Sequence, residues 1–159
     1  SVLDQFFQMM NWPRSLQRNL LLDVQENYRP ELFEDAKLFL EALHEAGQTS
    51  IILSNNPHTV THARETGLHN LVDDVITPHM LPEAGLKPDR SLWDGLVERF
   101  PMMGVDDATV VGDDPWSDLA FARTCGLTAW LVDRHNRFAN LELTSNTHRV
   151  RSLLEIRIT

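Results

Sequence analysis

Cysteine is nearly absent from this 159-residue chain. Cys125 stands alone, so neither an intramolecular disulfide nor a cysteine-built zinc site can form, and a reducing compartment is expected. Positive charge is scarce too. Fourteen Lys and Arg face 23 Asp and Glu, a net charge of −9 that repels phosphate backbones and disfavours a nucleic-acid partner. No apolar run is long enough to span a bilayer and no charged-then-apolar leader opens the chain, so no membrane partner is expected and the cytoplasm is the default. No two glycines stand two apart, which removes the Gly-x-Gly-x-x-Gly dinucleotide turn, and there is no Gly-x-Ser-x-Gly elbow. The first residue is Ser1 and not Met, so an upstream piece is expected to be missing.

What is present reads as one domain of ordinary size with a helical preface. Residues 1–29 carry helical spacing, first in Val2, Leu3, Phe6, Phe7 and Met10, then in Leu16, Leu20, Val24 and Tyr28 after the break at Asn11-Trp12-Pro13. From residue 30 onward helix and strand alternate. Helices are expected over 32–46, 59–66, 89–100 and 116–125, with Gly47, Gly67 and Gly126 closing three of them. Short apolar strands are expected over 50–53, 75–77, 108–111 and 128–132, and a last helix near 148–154. This alternation implies an α/β fold with a doubly wound parallel sheet, whose ligands sit beyond the carboxyl ends of the strands.

Three groups of polar residues lie at or between such ends. Ser54-Asn55-Asn56 follows the strand at 51–53; a hydroxyl and free backbone N–H groups before a helix suit an anion, although helix capping is the plainer reading of Ser54 and Asn55 taken alone. Gly112-Asp113-Asp114-Pro115-Trp116-Ser117-Asp118 follows the strand at 109–111. Its clustered carboxylates would repel one another unless a hard divalent cation, most simply Mg²⁺, sits among them; N-capping by Asp113 or Asp114 is the plainer alternative. Between them stands Lys87, one of only two lysines beside twelve arginines, in Leu86-Lys87-Pro88 ahead of a helix. His58 and His62 are read as helix-surface residues. The four tryptophans are read as packing residues, although Trp116 inside the acidic loop could brush a substrate, and Cys125 is read as a small buried residue.

The order of these groups carries more than any one of them. IILSNNP, GLKP and VVGDDPWSDLAFARTCG resemble motifs two, three and four of the haloacid dehalogenase-like (HAD) superfamily, and the likeness covers about residues 31–134. A receiver domain has similar residues but places its acids before the hydroxyl. The resemblance implies a Rossmann-like core and a hydrolase, most simply a Mg²⁺-dependent phosphatase for a small phosphorylated metabolite working through an aspartyl phosphate. It implies that Ser54 and the Asn55 N–H hold phosphoryl oxygens, that Lys87 offsets their charge, that Asp113 binds Mg²⁺, and that Asp118 is a second ligand or an orienting partner. Asp114 sits at a place that varies in the family.

The family's first motif, Asp-x-Asp-x-Thr at the end of a central strand, occurs nowhere in the chain. On one reading, motif and strand lie outside these residues, 1–29 are the remnant of a cap and 30–159 are the core domain without its first strand. On another, Leu20-Leu21-Leu22-Asp23-Val24 is a degenerate first strand with Asp23 as nucleophile, although Gln25 then stands where a proton-shuttling Asp should be. On a third, the chain is an inactive binding or assembly module. Little or no phosphatase activity is expected of these residues alone.

Overall fold

The computed structural model describes residue 13, residues 15–20 and residues 30–158. Two compact units divide the chain, Ser1–Glu31 and Leu32–Thr159. In the first, residues 15–20 are helical. Leu20, the opening position of the proposed degenerate strand, is therefore in a helix, while Asp23 and the rest of that run lie outside the described residues.

The second unit is a parallel α/β structure, as the alternating sequence pattern implies. Its first helix, α1 (Glu34–Glu45), buries Phe39 and Leu40 and ends where Gly47 takes up a φ of +71°. Then come β1 (Ile51–Leu53), α2 (Thr59–Glu65), β2 (Asp74–Ile76), α3 (Arg90–Arg99), β3 (Thr109–Gly112), α4 (Ala120–Cys125), β4 (Thr128–Val132) and β5 (Thr147–Val150). Among the described residues, β1 and β2 form one parallel sheet and β3, β4 and β5 another in that order, with Gly112 registered against Leu131. One hydrophobic core serves both sheets. Leu92, Trp93 and Leu96 of α3 and Phe121 and Ala122 of α4 pack with Ile76 and Ala129, against Ile51, Leu53 and Val110. Cys125 belongs to that core, and burial pushes its thiol pKa up, as suits a packing residue and not a nucleophile.

Two expectations need correcting. No helix spans 148–154: Thr147–Val150 is a strand parallel to β4, followed by a single 3₁₀ turn at Leu153–Glu155. The pairing N–H and C=O groups of β4 decide this, because an unpaired edge on so buried a strand is costly. Val150 alone supplies the buried apolar contact, too little to show a period of two. The helix expected over 116–125 is not uniform either. Pro115–Leu119 is a π-helical turn and regular α-helix begins only at Ala120.

Candidate functional site

β1 and β3 run parallel to their sheet neighbours and end in Ser54-Asn55 and Asp113-Asp114 respectively. Lys87 joins the two ends. Its ammonium donates to the backbone carbonyl of Leu53 at 3.0 Å and to Asp118 Oδ1 at 2.5 Å. The two side chains are only 12% and 11% exposed, so this pair is screened little by solvent, unlike a loop lysine in water. Nothing local in the sequence announces this pair, because the partners of Lys87 lie more than thirty residues away on either side.

Asn55 sets the height of that lysine. Its side-chain Oδ1 accepts the Lys87 backbone N–H at 2.8 Å, and its Nδ2 donates to the Lys87 carbonyl at 3.1 Å. One carboxamide thus satisfies both polar groups of one peptide residue, leaving no doubt about where the stem of Lys87 begins. Helix capping, the plainer reading of Ser54 and Asn55, is not what they do. α2 opens at His58 without a side-chain cap, Ser54 Oγ accepts the Asn56 N–H at 3.2 Å, and Asn56 Oδ1 accepts the His58 N–H at 3.0 Å. The Ser54 backbone N–H is committed to Ile76 in β2.

On the β3 side, Asp118 is the hub. Oδ1 takes the Lys87 ammonium and Oδ2 accepts the Asp114 N–H at 3.1 Å. A side chain at Gly112 would drive into the Asp118 carboxylate, so the glycine is what lets β3 end against it. Asp114 is an N-cap, its Oδ1 accepting the Trp116 N–H at 2.9 Å. Asp113 differs from both. It is exposed and its carboxylate engages no described residue, which leaves its oxygens open. Ser54, Asn55, Lys87, Asp114 and Asp118 are thus joined by direct hydrogen bonds or by adjacent residues, with Asp113 next to them at the end of β3.

Among the described residues no three His, Cys, Asp or Glu side chains are grouped to hold a metal. Mg²⁺ does not need three, since it typically takes one or two carboxylates, keeps several waters and accepts substrate phosphate oxygens. Asp113, with hard oxygen donors unspent, fits that requirement. Asp118, with an oxygen on Lys87 and the other on a backbone amide, fits the part of an orienting partner better than that of a direct ligand.

One feature escaped sequence reading. Asp133, 2% exposed, directly follows β4 and accepts the backbone N–H groups of Arg137 at 2.7 Å and Phe138 at 2.8 Å, so a buried carboxylate shapes the next loop. The packing reading of Trp116 is also corrected, though not the alternative that it could brush a substrate: it is 72% exposed, with its ring edge-to-face with Phe138 at 5.5 Å between centroids. His62 lies on α2 as expected, whereas His58 is the residue before its first turn, ring centroids 6.3 Å apart.

A family model described as haloacid dehalogenase-like hydrolase matches residues 14–126. No curated protein matches the chain. Among solved structures it is similar to the HAD-hydrolase YfnB from Bacillus subtilis, a structure bound to magnesium, at 20% identity and a TM-score of 0.66 over 78% of this chain and 52% of that one. It is similar to a HAD phosphatase from Thermococcus onnurineus at 25% identity and a TM-score of 0.62, covering 78% and 55%. A dehalogenase solved with an intermediate complex gives 22% identity and a TM-score of 0.71, covering 94% and 65%. The chain therefore spans between about half and two thirds of the length of these relatives.

Proposed function

The chain belongs to the haloacid dehalogenase-like hydrolases, and we propose that within them it forms the core of a Mg²⁺-dependent phosphatase for a small phosphorylated metabolite. One observation carries this reading: the ammonium of Lys87 lies between the end of β1 and Asp118 beyond β3, held there by the carboxamide of Asn55. Three stretches far apart in sequence thus converge at the carboxyl ends of parallel strands, where α/β folds take their ligands.

In this reading Ser54 Oγ and the Asn55 N–H donate to the phosphoryl oxygens. Lys87 neutralises charge that accumulates on them in the transition state, with Asp118 holding the ammonium in place. Asp113 would hold Mg²⁺, which when bound supplies a positive charge to the phosphoryl group. A transferable phosphoryl group needs a nucleophile, and an aspartate would form an aspartyl phosphate that water then breaks. No Asp-x-Asp-x-Thr occurs among the 159 residues, so that aspartate is assigned to residues outside them. A hydrolase that cleaves a carbon–halogen bond would have no use for a cation beside Asp113, and the open carboxylate there favours the phosphatase.

Titration with Mg²⁺ tests the reading. The chain should bind Mg²⁺, more tightly when orthophosphate is present, and Asp113→Asn should abolish the effect. Binding that survives Asp113→Asn, or no binding at all, removes the assignment and leaves an inactive module as the better account. With p-nitrophenyl phosphate and Mg²⁺ the 159 residues should show no turnover. Turnover that disappears in Asp23→Asn would instead move the nucleophile to Asp23.

A further inference from the structure

Trp116 is the most exposed aromatic side chain among the described residues, and it lies two residues from the end of the acidic pair Asp113-Asp114. Its position beside the acidic loop, and not exposure alone, singles it out, because isolated exposed apolar residues are ordinary on a protein surface. Its backbone is held in place. The Trp116 N–H is held by Asp114 Oδ1, Pro115 before it and Asp118 after it are buried, and Asp118 N–H is bonded to the Asp114 carbonyl at 2.8 Å. Within the π-helical turn Pro115–Leu119 the side chains of Pro115 and Asp118 are buried while the indole of Trp116 is exposed, and such turns are frequent at functional sites.

The second half of the feature comes from a different strand. β3 and β4 are in parallel register with Gly112 against Leu131, so the loop after β4 rises from the same edge of the sheet as the acidic loop. Asp133 spends a buried carboxylate on the backbone of that loop, fixing Phe138 so that its ring stands at 75° to the indole, and the Arg137 guanidinium lies 5.4 Å from the centre of the Phe138 ring. Two independently anchored loops therefore present an aromatic corner, with the Arg137 cation against its Phe138 ring and Trp116 two residues along the chain from Asp114.

We propose that Trp116 and Phe138 select the leaving group: the substrate is a phosphate monoester whose phosphorylated moiety carries a planar aromatic or heteroaromatic ring, which stacks on the exposed indole while its phosphate lies at Ser54 and Lys87. This rests on the phosphatase reading above and deepens it. Stacking of a planar ring on an exposed indole strengthens binding severalfold to a hundredfold, depending on how much of the ring is covered.

Calorimetry in Mg²⁺ with two phosphonates that cannot be hydrolysed makes the test, methylphosphonate reporting the phosphate site alone and phenylphosphonate adding the ring. Phenylphosphonate should bind about tenfold tighter or better. Trp116→Ala should bring the ratio of the two affinities close to one, Trp116→Phe should restore much of it, and Phe138→Ala should fall between. In the intact protein, the indole N–H resonance that Trp116→Phe removes should move with phenylphosphonate and not with methylphosphonate. Equal binding of the two phosphonates, with that resonance unmoved, would leave the phosphate site standing and overturn the aromatic selection, making the corner a surface for another protein instead. If neither phosphonate binds in Mg²⁺, the phosphatase reading and this inference fall together.

Discussion

Two partly buried acid–base pairs each involve a residue that follows a strand, and they are built differently. At the β1–β3 junction Lys87 meets Asp118, and the open carboxylate of Asp113 stands beside them. On the flank Arg134, after β4, meets Asp35 of α1 at 2.6 Å, and the same Asp35 oxygen also takes the Ser152 hydroxyl at 2.8 Å and the Leu153 N–H at 3.0 Å. The Arg134 guanidinium further lies over the Phe33 ring at 4.3 Å. The flank pair is a clasp: it ties the start of α1 to the end of the chain, and its donors converge on a single oxygen. The junction pair is a scaffold beside unspent donors. Similar charge chemistry serves closure in one region and, on the function proposed above, keeps a place for a ligand in the other.

The largest effect should come from the junction. Lys87→Met keeps most of the stem but leaves Asp118 a buried, uncompensated charge, and should cost about 3–5 kcal/mol in denaturant unfolding together with all orthophosphate binding. A loss under about 1 kcal/mol would show that the pair is solvated and the contrast false. On the flank, Asp35→Asn should cost about 2 kcal/mol without changing Mg²⁺ or orthophosphate affinity, since charge-assisted hydrogen bonds are lost far from the ligand groups. Its sign with pH is fixed. The Arg134 hydrogen bond first of all, helped by those from Ser152 and Leu153, holds Asp35 at about 2, below its ordinary 3.8. The clasp therefore contributes fully above pH 3.8 and is lost as pH falls toward 2, so Asp35→Asn should flatten that part of the acid unfolding curve. Smallest of all is Lys37, the other lysine, which is 60% exposed and reaches Glu41 only at 3.9 Å. Lys37→Ala should change stability by less than about 0.5 kcal/mol, which sharpens the point that position, not residue type, separates the two lysines.

The legible parts of the molecule are those whose cause is local. β4 could be read because its apolar residues are contiguous and Gly126 announces its start; Ala129 and Leu131 are indeed fully buried. Helix ends could be read where glycine adopts positive φ, at Gly47, Gly67 and Gly126. β5 could not, because its reason to be a strand is the exposed edge of β4 and not anything in Thr147–Val150. The same division holds at the site. The residue types and their order gave the family, whereas the clasping of Lys87 by Asn55, the double engagement of Asp118 and the burial of Asp133 depend on partners brought near only by the fold. For Trp116 the packing reading followed from large apolar residues usually being buried, and its place in a π-helical turn with 72% of its surface exposed has no signal in the sequence.

The carboxamide of Asn55 carries a liability of its own. Its NH₂ points at the Lys87 carbonyl and its oxygen at the Lys87 N–H, so the side chain works only as an amide. Hydrolytic ageing to aspartate, a gain of about one dalton, would set an anionic oxygen against a carbonyl oxygen where a donor had been, unlatching the lysine's backbone from β1. Protein stored warm and alkaline should therefore lose its phosphate affinity before it loses its fold, and the lost fraction should track the deamidated fraction at this one peptide in a mass spectrum.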